Sequence, residues 1–396
     1  MKNIVIVDGV RTPFGRLGGG LRQFHPGQLQ AFTIKALMER TQLDPKDLDS
    51  VCLGTANGDG RCPNFARYAA LEAGLPYEVS ALGVEMQCGS AIAAVNQAAY
   101  RIMAGDADCI IAGGAESFSQ RFFKFSSSQE PYKMLPPAAM PIGLAPKAED
   151  NLIMIQVADL MAKTWGITRE ECDAFALRSQ QLAKQAIEGG FLDNQIIPVT
   201  IPATRKTPEV VISKDEHPRP QTDAESLAKL KVIYEGGVTT AGNASGRNDG
   251  GSCVLMMTEE KAKALGYTPI ARWVCGADAG VDPKLMGIGP AYSNMKVLDR
   301  MGMKPSDISV YECNEAFAAQ NLGVIRQMET MSGETINMDT WNPNGGAIAF
   351  GHPNGASGTR IALSAIRHME NTNGQFGLVS SCCGGGIGVS ALFERV

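Results

Sequence analysis

The chain has 396 residues, 44% of them hydrophobic, with a formal net charge of −5, ten cysteines and four histidines. The length and apolar content indicate a globular protein of two or three domains, and the negative charge excludes the basic surface that nucleic-acid-binding and membrane-surface proteins use. The cysteines form no CxxC pair, so a disulfide framework and a zinc site are excluded, and no apolar run reaches the roughly 18 residues of a membrane span.

Short apolar runs rich in β-branched residues alternate with helical patterns along the chain. The first run follows the initiating methionine without a signal peptide, so we expect a cytoplasmic enzyme. Between the runs lie helical segments such as residues 91–103, whose apolar side chains recur at helical spacing. Continuous apolar strands predict parallel sheets covered on both faces, that is, an α/β fold. The predicted strands begin at or next to Asn3, Val51, Cys109, Arg272, Ile308 and Phe376.

The chain also repeats itself. Residues 43–54 resemble residues 303–314, and the segment that begins at Cys88 resembles the one that begins at His352 at nearly the same offset. Self-similarity of this kind indicates two related βαβ-type halves. Cys88 and His352 then occupy equivalent strand-to-helix junctions and would face each other across an internal dyad.

The repeat is interrupted inside the first half. The offset falls sharply at the closing strands near Cys253 and Val389, and the intervening segment contains a helix that opens with the capping box "TREE" at Thr168 and closes at Gly189 and Gly190. We therefore predict a first half at residues 1–119 that is completed by 246–268, an inserted loop domain at 120–245, and a second half at 269–396.

Two readings of Cys88 and His352 are open from spacing alone. At a helix N-terminus, the dipole and the free N–H groups would lower the pKa of a thiol, and a nearby imidazole would accept its proton. Alternatively, Cys88 is a small core residue and His352 is a hydrogen-bonded structural histidine.

The stretch "VSSCCGGGIG", residues 379–388, favours a functional interpretation. Glycine adds no packing area and costs backbone entropy, so three glycines after Cys382 and Cys383 are not explained by the core. They indicate that a ligand approaches the backbone there.

Seven motifs are spread along the whole chain. They are "RTPFGR" near Arg11, "NFARYAAL" from Asn64, "DEHPRP" from Asp215, "TAGNASGRNDG" from Thr240, "NEAFAAQ" from Asn314, "GGAIAFGHPNGASG" from Gly345 and "CCGGGIG" from Cys382. Together they resemble the motifs of the thiolase family. The resemblance implies a duplicated five-layered α-β-α-β-α fold with an inserted loop domain, and an acyltransferase that exchanges acyl groups between coenzyme A and acetyl-CoA.

The resemblance also implies roles for five residues. Cys88 resembles the nucleophile that carries the acyl group, and His352 resembles its base. Cys382 resembles the second catalytic cysteine, which moves a proton at the α-carbon of acetyl-CoA. The N–H groups of Cys88 and Gly384 resemble one oxyanion hole, and His352 with a water held by Asn314 resembles the other.

Coenzyme A itself is implied as substrate and product, with no tightly bound cofactor. Ser245 resembles the serine that binds the pantetheine arm, and Arg219 stands where the family often binds the adenine or its phosphates. Alternatively, Arg219 is a surface residue paired with Asp215 or Glu216. The family also implies a homodimer or homotetramer.

Four departures from the family pattern concern the substrate. Glu85 stands where asparagine is usual, Ala91 where glycine is usual, and Cys383 where a bulky apolar residue is usual. Residues 151–162 lack the usual "MGxTAE" sequence near the acyl pocket, so the acyl-chain length is open. Because neighbours along a strand face opposite sides, we expect Cys383 to point into the core.

Other functions share parts of this sequence pattern. A β-ketoacyl synthase needs a second catalytic histidine, which these motifs do not supply, and a sterol-carrier type thiolase has "HDCF" in place of "NEAF". A cysteine hydrolase also combines cysteine, histidine and asparagine. A non-catalytic acyl-CoA-binding protein would not require Cys88, His352 and Cys382 together.

Overall fold

The computed structural model describes residues 2–58, 60–122, 124–126, 132, 136, 139–140, 143–203, 205 and 207–396. The first part of the chain forms β1 (Ile4–Arg11), β2 (Gly15–Arg16), α1 (Pro26–Thr41), β3 (Ser50–Gly54), α2 (Phe65–Glu72), β4 (Ser80–Val84), α3 (Ser90–Ala104) and β5 (Cys109–Ser117). The middle part forms α4 (Met154–Trp165), α5 (Arg169–Glu188), β6 (Val199–Ile201), β7 (Val210–Ile212), α6 (Ala224–Ala228), β8 (Asn248–Thr258) and α7 (Glu259–Ala264). The last part forms β9 (Ala271–Gly280), α8 (Gly289–Met301), β10 (Val310–Cys313), α9 (Ala318–Ser332), α10 (Ala347–Phe350), α11 (Asn354–Thr372), β11 (Phe376–Cys383) and β12 (Ile387–Glu394).

These elements contain the six strands and both helices predicted from the sequence. The helix α5 begins after Thr168, whose hydroxyl accepts the N–H of Glu171 at 3.2 Å while the Glu171 carboxylate accepts the N–H of Thr168 at 2.8 Å. The capping box is therefore formed as predicted. Among the described residues, no helix is long and apolar enough to cross a membrane.

The main sheet shows the internal duplication. Its strands follow the order β10-β11-β12-β9-β1-β8-β5-β3-β4, with β2 added beside β8. Read outward from the central pair β9 and β1, the two sides are alike: each has one long strand, then a strand parallel to its outer neighbour. The predicted repeat is thus a repeat of structure.

The prediction of parallel sheets was wrong, because the sheet is mixed. The strands β5, β3 and β4 are parallel, as are β10 and β11, but β8 and β12 run antiparallel to their neighbours. Strand β12 follows β11 through a tight glycine turn, and so short a connection joins only antiparallel strands. A fully apolar strand is compatible with either direction when helices cover both faces.

Helices and strands alternate in five layers. The helices α1 and α2 pack against strands of the first half, and α8 and α9 pack against strands of the second. Between them, α3 and α11 pack on each other and on strands of both halves. This is the α-β-α-β-α order that the resemblance implied.

The two central helices approach closely because of one glycine. A methyl group at Gly358 of α11 would lie 2.5 Å from the backbone nitrogen of Ile92 and 3.0 Å from Cβ of Ala91. Gly358 therefore leaves the space that the methyl group of Ala91 occupies. Nearby Ile92 and Ile361 are buried, each contributing about 2–3 kcal/mol. This packing brings the N-terminal ends of α3 and α11 together at the seam between the halves.

Candidate active site

Cys88 lies in the short 3₁₀ turn Gln87–Gly89, directly before α3. The hydroxyl of Ser90 holds this turn, since it accepts the N–H of Met86 at 2.9 Å and donates to the carbonyl of Gln87 at 2.6 Å. Gln87 has a φ of 47°, a left-handed conformation that residues other than glycine rarely adopt. Among the cysteines that the structure describes, Cys88 alone is not buried. It is the thiol that a substrate can reach.

The thiol of Cys88 is nevertheless a weak acid. Although the residue is partly exposed, the loss of water around its sulfur and, after it, the neighbouring carboxylate of Glu116 raise the pKa of Cys88 to about 12. The sequence-based prediction of a lowered pKa was therefore wrong. Removing water from the thiolate outweighs the favourable hydrogen bond with the backbone of Cys88. Cys88 is consequently protonated at neutral pH and needs a base in order to attack.

His352 lies two residues before α11, and its backbone N–H and both ring nitrogens have hydrogen-bond partners. Its N–H donates to Asn248 at 3.0 Å, Nδ1 lies 2.6 Å from the hydroxyl of Ser357, and Nε2 lies 3.3 Å from Nδ2 of Asn314. Since an amide nitrogen only donates, Nε2 accepts and Nδ1 carries the proton. Ser357 accepts that proton and itself donates to the carbonyl of Pro353 at 3.1 Å. This tautomer leaves a basic lone pair on Nε2.

His352 is also kept neutral. Burial and, after it, the positive charge of Arg360 lower the pKa of His352 to about 3. A neutral imidazole can accept a proton, whereas an imidazolium cannot. The environment therefore keeps His352 unprotonated at neutral pH, although it also weakens the imidazole as a base.

This shift predicts a pH dependence of stability. Because the pKa of His352 is lower in the folded state than in the unfolded chain, the unfolded chain binds more protons as the pH falls below about 6.5. Relative to a His352→Gln variant, the wild-type protein should lose about 1.4 kcal/mol of unfolding free energy per pH unit between about pH 6 and pH 4. Chemical unfolding of both proteins at several pH values measures this difference, and equal slopes would contradict it.

Cys382 and Cys383 end β11 with their side chains on opposite faces. Cys382 belongs to the core formed with the outer helices of the second half, and Cys383 to the core around α3 and α11. Cys383 faces the core as predicted, but it does not point away from the site, since burial and, after it, Cys88 raise the pKa of the Cys383 thiol. Its sulfur packs against the turn that holds Cys88, since a methyl group at Gly89 would lie 2.5 Å from this sulfur. Burial and, after it, Cys88 raise the pKa of Cys382 well above its ordinary value, so the thiols of Cys88 and Cys382 are close enough to interact.

The glycines after these cysteines have a structural reason. Gly385 and Gly386 have φ values of 91° and 90°, which only glycine adopts without strain. A methyl group at Gly384 would lie 3.5 Å from the side chain of Gln87 and 3.1 Å from that of Leu144. The glycine turn therefore runs beside the turn that holds Cys88.

The structure brings the predicted site residues together at the seam between the halves. Both α11 and β11 pack against the Gln87–Gly89 turn, Asn314 contacts His352 directly, and Cys382 interacts with Cys88. The elements that carry a nucleophile, a neutral base and a second proton-carrying group therefore meet at this seam.

A cavity of about 130 Å³ opens between the inserted segment and the second half. The loop after it connects this cavity to the site: Gly242 lines the cavity, the N–H of Ser245 donates to the carbonyl of Ala316 at 3.0 Å, and Arg247 lies beside His352. The cavity is lined by Gln180, His217, Arg219, Thr222, Ser226, Leu227, Leu230, Ala241, Gly242 and Ile348.

Arg219 is an exposed residue that lines this cavity. Asp215 forms a two-fold ion pair with buried Arg11, at 2.7 Å for each contact. Glu216 accepts the backbone N–H groups of Arg16 and Gly20. Both acidic neighbours therefore have other partners.

Sequence reasoning missed several residues that shape the site. Ser357 sets the tautomer of His352, and its only signal was its place five residues later in the "GHPNGASG" motif. Glu116, buried at the end of β5, gave the signal of an acidic side chain in an otherwise apolar strand. Among the departures from the family pattern, exposed Glu85 accepts a hydrogen bond from Gln87 at 3.2 Å.

Known proteins resemble the chain over its whole length. The family model "Thiolase, N-terminal domain" matches residues 4–260, and "Thiolase, C-terminal domain" matches residues 267–395. An acetyl-CoA acetyltransferase of Allochromatium vinosum is 41% identical over 400 residues, covering 100% of both chains. A 3-oxoadipyl-CoA/3-oxo-5,6-dehydrosuberyl-CoA thiolase of Escherichia coli is 42% identical over 406 residues, again covering 100% of both.

Solved structures agree with these matches. The crystal structure of the Bacillus anthracis acetyl-CoA acetyltransferase superposes with a TM-score of 0.92 at 38% identity, covering 100% of this chain and 99% of the other. That of human mitochondrial 3-ketoacyl-CoA thiolase gives a TM-score of 0.92 at 33% identity with the same coverage.

Proposed function

This chain belongs to the thiolase family and is an acyltransferase, and on that premise we propose that it transfers acyl groups between coenzyme A and acetyl-CoA through an acyl-Cys88 intermediate. The observation that carries this proposal is the position of Cys88: the one cysteine that is not buried lies in a turn that packs against the helix following His352, and its thiol is close to that of Cys382. Acetoacetyl-CoA or another 3-ketoacyl-CoA is the substrate of the cleavage direction.

In the first half of the cleavage reaction, Cys88 attacks the keto carbon of the 3-ketoacyl-CoA. His352 Nε2 takes the thiol proton, and the N–H groups of Cys88 and Gly384 stabilise the resulting oxyanion. The carbon–carbon bond then breaks, the acyl group stays on Cys88, and the carbanion of acetyl-CoA takes a proton from Cys382. His352, together with a water held by Asn314, stabilises the enolate oxygen, each donor contributing about 3 kcal/mol.

In the second half, coenzyme A removes the acyl group. The Cys382 thiolate takes the proton of the coenzyme A thiol, and the coenzyme A sulfur attacks the acyl carbonyl. Cys88 leaves as a thiolate and recovers its proton from His352, so every group returns to its starting state. The raised pKa of Cys382 suits both roles, because it keeps the resting thiol protonated and makes its thiolate a strong base.

Coenzyme A reaches this centre along the loop that connects the cavity to His352. Arg219 in the cavity would contact the adenine or its phosphates, and Ser245 would contact the pantetheine arm on the way to Cys88. A pantetheine arm is long and narrow, which fits a loop-lined path better than a closed pocket. A homodimeric or homotetrameric state, a cytoplasmic location and the domain boundaries given above stay predictions.

The full-length matches favour neither a cysteine hydrolase nor a non-catalytic acyl-CoA-binding protein. Incubation of the purified protein with acetoacetyl-CoA and coenzyme A separates these functions. A thiolase removes the enolate absorbance of acetoacetyl-CoA only when coenzyme A is present. Steady loss without coenzyme A would indicate a hydrolase, and no loss with any 3-ketoacyl-CoA would indicate a binding protein.

A further inference from the structure

We propose that Glu116 is a positioning residue, which holds the turn of Cys88 and the turn of His352 in register across the seam between the two halves. This inference rests on the proposed function, because the register of these two turns matters only if Cys88 and His352 act together.

The carboxylate of Glu116 connects its own strand β5 with two other backbone segments. Its Oε2 accepts the N–H of Ala56 at 3.0 Å and the N–H of Gly355 at 3.2 Å. Its Oε1 accepts the side-chain amide of Asn57 at 3.1 Å. Glu116 belongs to β5 of the first half, whereas Gly355 belongs to the second half. One buried side chain therefore links the halves.

On one side, this link leads to Cys88. The Ser90 hydroxyl, whose proton goes to the carbonyl of Gln87, lies 3.3 Å from the carbonyl oxygen of Thr55, and the carbonyl of Ala56 accepts the side-chain amide of Gln87 at 3.4 Å. Ser90 and Gln87 are the residues that shape the turn of Cys88. A shift of the segment after β3 would therefore move the nucleophile.

On the other side, the link leads to His352. Gly355 lies in the first turn of α11, three residues after His352, where helix N–H groups lack partners within the helix. A methyl group at Gly355 would lie 2.4 Å from the carbonyl oxygen of Ala115 and 2.9 Å from Cα of Thr55. The backbones approach this closely without intervening side chains, so the Glu116 carboxylate directly fixes the start of α11.

The site is built for a group that only accepts hydrogen bonds. Three N–H donors point at the two oxygens of Glu116, so an amide in its place would turn its NH₂ group toward at least one donor. The negative charge opposes the Cys88 thiolate and raises the pKa of that thiol. An acid beside a nucleophilic thiol is costly for reactivity. Its presence is therefore explained by the contacts that it makes rather than by its charge.

A Glu116→Gln variant tests this inference. We expect kcat for acetoacetyl-CoA thiolysis to fall about 100-fold, because a misplacement of reacting groups by about 1 Å has an effect of that size. The KM values for acetoacetyl-CoA and coenzyme A should stay within about two-fold, since the cavity is untouched. Glu116→Asp, which keeps the carboxylate on a shorter stem, should recover part of the lost kcat.

Asp49→Asn is the matched control. The carboxylate of Asp49 accepts two backbone N–H groups, those of Asp108 at 2.8 Å and Cys109 at 2.9 Å, at the opposite end of β5. This variant should lose stability but keep its kcat. An inactive wild-type protein would refute the proposed function. An active wild-type protein with an equal kcat in Glu116→Gln, or a change in KM alone, would refute only the role of Glu116. If Glu116→Gln does not fold, Glu116→Asp decides: a wild-type kcat overturns the inference and a reduced one supports it.

Discussion

Replacing Cys88 by alanine is expected to abolish turnover of 3-ketoacyl-CoA, with kcat reduced by at least about 10⁴-fold. No other thiol can replace it, since the remaining nine cysteines are buried. Folding should be preserved, because Cys88 is only partly buried. Thiolysis of acetoacetyl-CoA and the unfolding midpoint measure the two effects separately.

Cys253→Ala is the control for removing a thiol as such. Cys253 is fully buried in β8, and its loss should reduce stability by about 1–2 kcal/mol while leaving kcat within about two-fold of the wild type. If Cys88→Ala retains substantial thiolysis, or if Cys253→Ala loses as much, the nucleophile has been assigned wrongly.

Replacing Cys382 by serine should divide the reaction into its two parts. The variant should still accept an acyl group from acetyl-CoA, more slowly than the wild type, because Cys88 and His352 are intact while coenzyme A must leave as a thiolate without a proton from Cys382. It should lose carbon–carbon cleavage by about 10²- to 10⁴-fold, since a hydroxyl is a much poorer proton donor to the carbanion than a thiol. Exchange of labelled coenzyme A into acetyl-CoA follows the first part, and thiolysis of acetoacetyl-CoA follows the second.

Cys275→Ser is the control for this experiment. Cys275 lies in β9 and belongs to the same buried core as Cys382, so its substitution should keep both partial reactions and lose only stability. Equal loss of exchange and thiolysis in Cys382→Ser would contradict the proposed division of roles between Cys88 and Cys382.

The fold was predictable because the chain repeats its pattern. The match of residues 43–54 with 303–314 became the equivalent strands β3 and β10, and the interruption of the repeat became the long segment between β5 and β8. Strand direction was not predictable. An apolar strand such as β8 is covered on both faces whichever way it runs, so its composition carries no information about its direction.

The position of the site was also predictable, but its electrostatics were not. Motif spacing placed Cys88 and His352 at equivalent helix starts, and the structure places both at the seam. The pKa of Cys88 depends on how much water surrounds the sulfur and on Glu116, which is close in space but distant along the chain. Neither is visible in a local motif. The helix dipole alone gave the wrong direction.

The partners of Glu116 show why such contacts escape a sequence argument. Ala56 lies 60 positions from it and Gly355 lies 239 positions from it. A repeat indicates which halves pack together, but it does not show which side chain crosses the seam. Only the coordinates place one carboxylate between the supports of Cys88 and His352.

The most direct test of the account is to locate the acyl group on the protein. Acid quenching after incubation with labelled acetyl-CoA, followed by peptide mapping with mass spectrometry, identifies the residue that carries the label. If the acyl group is carried by Cys88, we expect the label on the peptide that contains Cys88, both in the wild type and in Cys382→Ser. A label on the Cys382 and Cys383 peptide, or no covalent label during turnover, would contradict it.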